Sequence, residues 1–436
     1  MPANIAGNQL YLLLVYTKNA LAVMVPHLIT ALAGPLSELE ERILEAAPVI
    51  ERWFRQEWME HTPPIYAAAR VHNAGFKLAT LDLDLFPRGW HLLAESTTPL
   101  AVLAAQAALE KICPEIRRLL IVPENGAPSG ADLASLCRLR DIFSLAGLQV
   151  QLGSLDPALT APTPLACPAT GASILLEPIQ RNETRLHTQD FEPCTVLLAN
   201  ALGAGIPGIL EDIFAQHILP PLQAGWSLRR RSRHRRFYME EAKRFGKLIS
   251  VDPWLLAPLA DAGSTATPQD IEKLREQAST LLAGIRRKYR SYGIQEQPCL
   301  LLASDAGPRG VPVQIIYDPS EIDPAALPAE VLMQEGVPTR ERIDSAVAES
   351  WVYSIDRYVV GGYYCVHGGG ASEMCDACSS FVPQAIAEPP QLPRAGSPEH
   401  NRFYMYGVIA RLALVASSHE LEATDPEWQG LQNEEA

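Results

Sequence analysis

The sequence predicts an α/β protein that becomes mixed α+β in its C-terminal half, and three observations carry the prediction. Between residues 116 and 217, short β-branched and aliphatic runs alternate with helical patterns, the order that gives a largely parallel sheet. Near 351–367 two apolar, aromatic runs follow each other closely, as in a hairpin. Long segments with apolar residues at helical spacing stand apart from these, clearest at 268–292 and 401–422.

Taken in order, residues 10–33 are apolar but interrupted by Lys18, Asn19, Pro26 and His27. They lack a basic start and a small-residue cleavage pattern. A buried segment is expected, not a signal peptide or a membrane span, and with it a cytoplasmic protein. Residues 34–60 read as one helix: Ser37 can cap it, Glu38, Glu40 and Glu41 suit its first turn, and Leu39, Ile43, Ala46, Ile50 and Phe54 recur on one side. Asn73–Trp90 gathers turn residues with Lys77, Asp82 and Asp84 around a short apolar run. A ligand-binding loop, with Asn73 and Lys77 as substrate contacts, and a polar connection fit it equally well.

The alternating region has strands at Leu119–Val122, Leu148–Leu152, Ile174–Leu176 and Val196–Ala199. A helix over Asp132–Ala146 ends at Gly147, and a second is expected over Pro207–His217. Ligands of such sheets sit beyond the C-terminal strand ends, which makes Asn200 a candidate contact. Six arginines and His234 then crowd residues 229–236. A solvated helix face, a nucleic-acid patch stacked by Trp226, Phe237 and Tyr238, and a carboxylate or phosphate site are the three readings.

Thr267-Pro268 opens a helix that Gly293 closes. Strands at Cys299–Ala303 and Val313–Tyr317 flank a loop containing Gly307 and Gly310, either a turn or a phosphate-covering flap. Val331–Val337 is a short strand ending in Glu335-Gly336. Trp351–His367 reads as two strands around a Gly361-Gly362 turn. Asp356-Arg357 then falls within the first strand, as an ion pair on a solvated face or with Arg357 lining an anion-binding cleft. Cys375 and Cys378 have metal-ligand spacing, and Cys365 and His367 share a strand face, so a tetrahedral zinc set of these four is an alternative.

The 436 residues suffice for two or three domains. With 47% apolar and 20% charged residues the composition is that of a globular protein. A net charge of -14 argues against nucleic-acid binding by the surface as a whole. Eight dispersed cysteines in a chain of this size are expected as free thiols.

Several stretches together resemble the glutamate–cysteine ligase family of the bacterial iron-oxidiser type. They include Asn73-Ala-Gly-Phe-Lys-Leu-Ala, Leu85-Phe-Pro, Leu176-Glu-Pro, Gly205-Ile-Pro, Ala224-Gly-Trp with its arginines, and Asp252-Pro-Trp. Arg287-Lys-Tyr-Arg, Asp305-Ala-Gly, Gln334-Glu-Gly-Val, Ile355-Asp-Arg-Tyr-Val-Val-Gly-Gly, Phe381-Val-Pro and Asn401-Arg-Phe-Tyr follow in the family's order. The resemblance implies an ATP-grasp-like pair of lobes and ATP-dependent ligation of glutamate to cysteine, with Mg²⁺ on the phosphates. It divides the chain into a helical N-terminal region with a substrate loop (1–115), an α/β domain (116–225) and nucleotide-binding lobes (226–436).

By the same resemblance Asp305, Gly307 and Gly310 would form the flap, Glu335 and Gly336 the adenine hinge, and Asp356 and Arg357 the wall facing the phosphates. Arg229, Arg230 and His234 would hold a substrate carboxylate or the transferring phosphoryl group, and Glu373 and Asp376 the magnesium ion. The sequence departs from the family pattern at the site itself. Ala303 replaces a flap lysine, Pro308-Arg309 a Thr-Tyr pair, Pro312 a flap glycine and Cys365 an arginine; Cys375-Asp376 stands in a metal segment, and Arg70 and His72 replace an Asp and an Arg. These departures leave open a catalytically silent relative that binds or regulates, and a zinc-stabilised structural protein.

Overall fold

The computed structural model describes residues 28–29, 35–112, 114, 116–171, 173–260, 270–307, 312–368, 378–384 and 398–425. After strand β1 (Leu28–Ile29), residues 35–60 form two helices, α1 (Pro35–Glu45) and α2 (Ala47–Glu60). The expected single helix fails at Pro48, which lies in the first turn of α2. Proline offers no N–H and its ring collides with the carbonyl four residues back, so the chain restarts there. The expected loop after it is a hairpin, β2 (Tyr66–Asn73) and β3 (Leu78–Asp84). Its turn is closed by the Gly75 N–H donating to Asn73 Oδ1 at 2.9 Å, with Gly75 at φ +80°.

Helix α3 (Thr98–Ile112) leads into the α/β region. There β4 (Arg118–Pro123), α4 (Gly130–Leu145), β5 (Gln149–Ser154), β6 (Thr163–Ala166) and β7 (Ser173–Pro178) precede the small hairpin β8 (Gln180–Asn182) and β9 (Arg185–His187). Strands β10 (Thr195–Ala199) and β11 (His217–Leu219) complete a sheet of order β11-β10-β4-β5-β7-β6, parallel apart from β6. The parallel sheet thus forms as the alternating pattern predicts. The helix expected over 207–217 does not. Arg181 donates to the carbonyls of Gly208, Ile209 and Glu211, taking acceptors that a helix would use, and only a 3₁₀ turn survives at Gly208–Leu210.

The C-terminal half opens with α5 (Arg231–Ile249) and α6 (Ile271–Ser291). Asp270 caps α6, while Thr267 and Pro268 lie outside the described residues. Strands β12 (Leu300–Ser304), β13 (Pro312–Ile316) and β14 (Val331–Glu335) make a three-stranded antiparallel sheet. Then β15 (Arg342–Ile343), β16 (Ala346–Ile355), β17 (Tyr358–His367) and β18 (Cys378–Pro383) build the large sheet, which β2 and β3 join through β16. Residues 66–84, placed by sequence in the first segment, therefore belong structurally with the last. Helix α7 (Pro398–Ala423) follows; Met405, Val408, Ile409, Leu412 and Val415 are buried against the large sheet and α5. The other face of the large sheet packs Tyr353, Tyr363 and Ile355 onto the α/β region.

The hairpin β16–β17 corrects the predicted turn. Its tip is Asp356-Arg357, with Asp356 at φ +50°, a region that Asp enters more readily than most residues. Gly361 and Gly362 instead pair with Tyr353 and Val352 inside the ladder, beside a register shift. A Cβ on Gly362 would lie 2.5 Å from the Trp351 carbonyl oxygen, so the glycine permits close strand approach. The expectation of free thiols also needs correcting in part: Cys365 and Cys378, on adjacent strands with Cα atoms 5.4 Å apart, form a disulfide. Cys137, Cys167, Cys194 and Cys299 are not disulfide-bonded.

Candidate active site

The site is built where α5 meets the β12–β13 connection. Asp305 follows β12 and turns its carboxylate onto the N-terminus of α5, accepting from the Ser232 N–H at 2.6 Å and the Ser232 hydroxyl at 2.7 Å. It does the capping that the Arg230 side chain at the N-cap position cannot. Arg231 answers from the helix. Its guanidinium donates to the carbonyls of Ser304 (3.1 Å), Ala306 (3.4 Å) and Gly307 (2.7 Å), and stacks 4.3 Å over the Trp226 ring. In a trans peptide the C=O and the next N–H point opposite ways. With the Ala306 carbonyl turned to Arg231, the Gly307 N–H points away from that guanidinium. Gly310 lies outside the described residues, as do Glu373, Asp376 and Cys375.

Arg231 also pairs with Asp82 on β3 at 3.3 Å. From Asp82 a charged stripe crosses one face of the large sheet. Asp82 is opposite Arg70, and the Arg70 guanidinium holds the Glu349 carboxylate of β16 through two bonds of 2.9 and 2.6 Å. His72 and His367 each bring Nε2 to 3.5 Å from the same Glu349 oxygen, and Cys365 lies opposite Glu349. Burial pushes the Glu349 carboxyl up, but Arg70, His72 and His367 around it together outweigh burial and hold the group well below the usual carboxylate range. Glu349 was not predicted; Arg70 and His72 stood only as departures from the family pattern, and Asp82 and Arg231 only within a candidate loop and an arginine run, without roles of their own. The sequence signal was the alternation of Arg70 with His72 and of Cys365 with His367, which puts each pair on one strand face.

The predicted residues fall into separate groups. Arg229 and His234 are committed elsewhere: both bind Glu420 of α7, Arg229 at 3.0 Å and His234 at 3.0 Å, and all three are buried. They lock α5 to α7 and do not face a cleft. Arg230 pairs with Glu330 at 2.7 Å, near Asp305. Lys77 and Glu335 form a fully buried pair at 2.6 Å, which the Trp254 indole N–H and the Leu259 N–H complete from the glutamate side. Gly336 donates to the Cys299 carbonyl at 2.9 Å. Glu335 lies opposite Leu300 and so at the far end of β12 from Asp305. Asn73 donates to the Tyr406 hydroxyl at 3.0 Å, and Asn200 ties the Pro123 carbonyl to the Leu202 N–H. Each spends its amide on the fold.

Asp356 and Arg357 are the clearest misplacement. At the hairpin tip, the Asp356 N–H donates to the Ile65 carbonyl, its carboxylate is 3.9 Å from Lys111, and the exposed Arg357 lies over Tyr358. Neither contacts the α5–flap junction. The four-member zinc set is also revised, because the sulfurs of Cys365 and Cys378 are bonded to each other.

No described helix is long and apolar enough to cross a membrane. Comparison with known proteins now bears on the whole. The Glutamate-cysteine ligase (GshA) family model matches residues 40–421. Among solved structures, the chain is similar to a protein described as "Putative gamma-glutamylcysteine synthetase" from Methylobacillus flagellatus KT, with 42% identity and a TM-score of 0.84, covering 92% of this chain and 100% of that one. A search of curated proteins returns no match. With the family model spanning the α/β region, the α5–flap junction and the large sheet, the chain belongs to the glutamate–cysteine ligase family.

Proposed function

We propose that this chain performs the first step of glutathione synthesis on ATP-grasp-like lobes, with the α5–flap junction as its nucleotide edge. The γ-carboxylate of glutamate attacks the γ-phosphoryl of ATP and ADP leaves. The amine of cysteine then displaces phosphate from the acyl phosphate, giving γ-glutamylcysteine. The observation that carries this reading is the family match across residues 40–421. The geometry supporting it is the reciprocal lock of Arg231 and Asp305. It holds the root of the flap rigid while leaving the Gly307 N–H turned away from that guanidinium, the kind of preorganised donor that phosphoryl transfer uses. Arg231 and Asp305 are positioning residues in this account.

Magnesium is proposed as the divalent ion, with Glu373 and Asp376 as its candidate ligands. Among the described carboxylates near the junction, Asp82 pairs with Arg231, Asp305 with Ser232, Glu330 with Arg230 and Glu349 with Arg70. None is assigned to the ion, and no step is routed through it. A cytoplasmic location and small-molecule partners alone complete the proposal. No observation favours a catalytically silent relative.

Phosphate release from ATP tests the reading. It is expected to require glutamate and cysteine together; release indifferent to either amino acid, or none at all, overturns it. Arg231→Ala is expected to lower kcat/KM by at least about tenfold, roughly 1.4 kcal/mol, with KM for ATP rising more than KM for glutamate. An equal change in both KM values would mark a merely structural loss.

A further inference from the structure

The cluster at the end of the charged stripe has a chemistry that ligation does not use. His72, Cys365, Glu349 and His367 are all at most 2% exposed. His72 donates its Nδ1–H to the Val337 carbonyl at 2.7 Å, which fixes the tautomer and leaves Nε2 as a bare lone pair. Among the described residues no hydrogen-bond donor reaches that Nε2, and it faces a Glu349 carboxylate oxygen 3.5 Å away. Two lone-pair-bearing atoms held face to face in a dry site repel unless a proton or a metal cation lies between them, and such a pair is the donor set that a metal cation uses.

Glu349, Cys365 and His367 are spaced as ligands of one ion, and His72 adjoins them at the Glu349 oxygen. Tetrahedral ligands bound at about 2.1 Å lie about 3.4 Å apart, slightly more where one is sulfur. Here His72 Nε2 and His367 Nε2 are each 3.5 Å from the Glu349 oxygen, and Cys365 Sγ is 3.8 Å from His367 Nε2. The ligand atoms of Glu349, Cys365 and His367 all lie within 4.8 Å of one another.

We propose that His72, Glu349 and His367 bind a zinc-class divalent cation, and that Cys365 becomes the fourth ligand when its disulfide to Cys378 is opened. Two imidazoles, one carboxylate and a thiolate suit zinc, cobalt or nickel; magnesium wants six oxygens. Opening the bridge needs a reductant of the small-thiol class: two RSH give RSSR and the two protein thiols, and the Cys365 thiol releases its proton as the metal–sulfur bond forms. Arg70 donates at 2.6 Å to the same Glu349 oxygen that faces the two imidazoles, and at 2.9 Å to the other oxygen. It orients the carboxylate and lowers the site's affinity for a dication. The set shares Cys365 and His367 with the predicted zinc site and replaces Cys375 and Cys378 with residues from two other strands. It stands independently of the ligase reading, because metal binding needs neither ATP nor amino acid.

Cobalt(II), titrated into the full chain after phosphine reduction and buffer exchange, is the probe. About one cobalt per chain is expected, with tetrahedral visible bands and a sulfur-to-cobalt charge-transfer band. Cys365→Ser is expected to keep the metal and lose that band. His72→Gln is expected to weaken binding by at least about tenfold. His367→Gln gives the same readout from another strand should His72→Gln fail to fold, as judged by circular dichroism. Absence of bound cobalt overturns the proposal, as does unchanged affinity in a folded His72→Gln or His367→Gln protein. Loss of cobalt in His61→Ala also overturns it, by assigning the metal to the Glu57, His61 and His419 cluster.

Discussion

At the scale of single residues, the arginine-rich run shows how a conspicuous charge is used inside the fold. Arg229 lies buried against Glu420 and donates to the Leu83 carbonyl at 2.8 Å. Burial would raise the Glu420 carboxyl, but Arg229 and His234, both charged and hydrogen-bonded to it, together bring the pKa down to about 2 from 4.5. A carboxyl with a depressed folded pKa stabilises the fold above its unfolded value and loses that contribution as pH falls. Stability on the order of 3 kcal/mol is therefore expected to disappear between pH 4.5 and pH 2. Glu420→Gln should remove this acid dependence and cost about 3–5 kcal/mol at neutral pH by leaving Arg229 unpaired, as read by urea unfolding. His419 has the opposite sign. The Glu241 carboxylate 3.2 Å from its ring and the Glu57 carboxylate at 3.7 Å, beside Arg244 and His61, lift its pKa to about 9. Its contribution is complete below about pH 6.5 and fades as pH rises through 9. Thermal melts from pH 6 to 10 should show a slope that His419→Gln flattens.

At the scale of elements, the hairpin was legible and its turn was not. Strand composition located both halves, and the glycine pair suggested the bend. Glycines serve two backbone purposes, positive φ and close approach, and sequence does not tell them apart. Packing chose the second. Gly362→Ala would set a Cβ 2.5 Å from both the Trp351 carbonyl and Gln384 Oε1. The side chain can yield and the backbone cannot, so a loss of about 1–3 kcal/mol is expected, measurable as a lowered urea midpoint. Pro48, by contrast, announced its break in the helix, and the signal was outvoted by the apolar periodicity on either side of it.

At the scale of the whole molecule, the large sheet is made from two ends of the chain. Strands β2 and β3 reach it across some 260 residues of sequence, and Lys77 at their turn meets Glu335 of the three-stranded sheet. That pair is wholly buried and has no solvent to replace either partner. Lys77→Met is expected to destabilise the protein by about 3–5 kcal/mol, with Glu335→Gln in the same chain restoring much of it, in equilibrium unfolding. Two equal single losses that simply add in the double variant would contradict the coupling.

The sequence by itself determined the long periodic helices, the parallel order of the middle region and the family, because these depend on local periodicity and on motifs contiguous in the chain. Only the tertiary structure decided which charged residues share a site. Asp305 was found with its partner, while Arg229, His234, Asn73 and Asn200 turned out to hold the fold, and Arg357 went to a hairpin tip. A guanidinium or amide in a sequence carries no mark of its eventual partner. Glu349 meets Arg70, His72 and His367 because strand register brings three separate strands into line, and register is set by the pairing of whole strands.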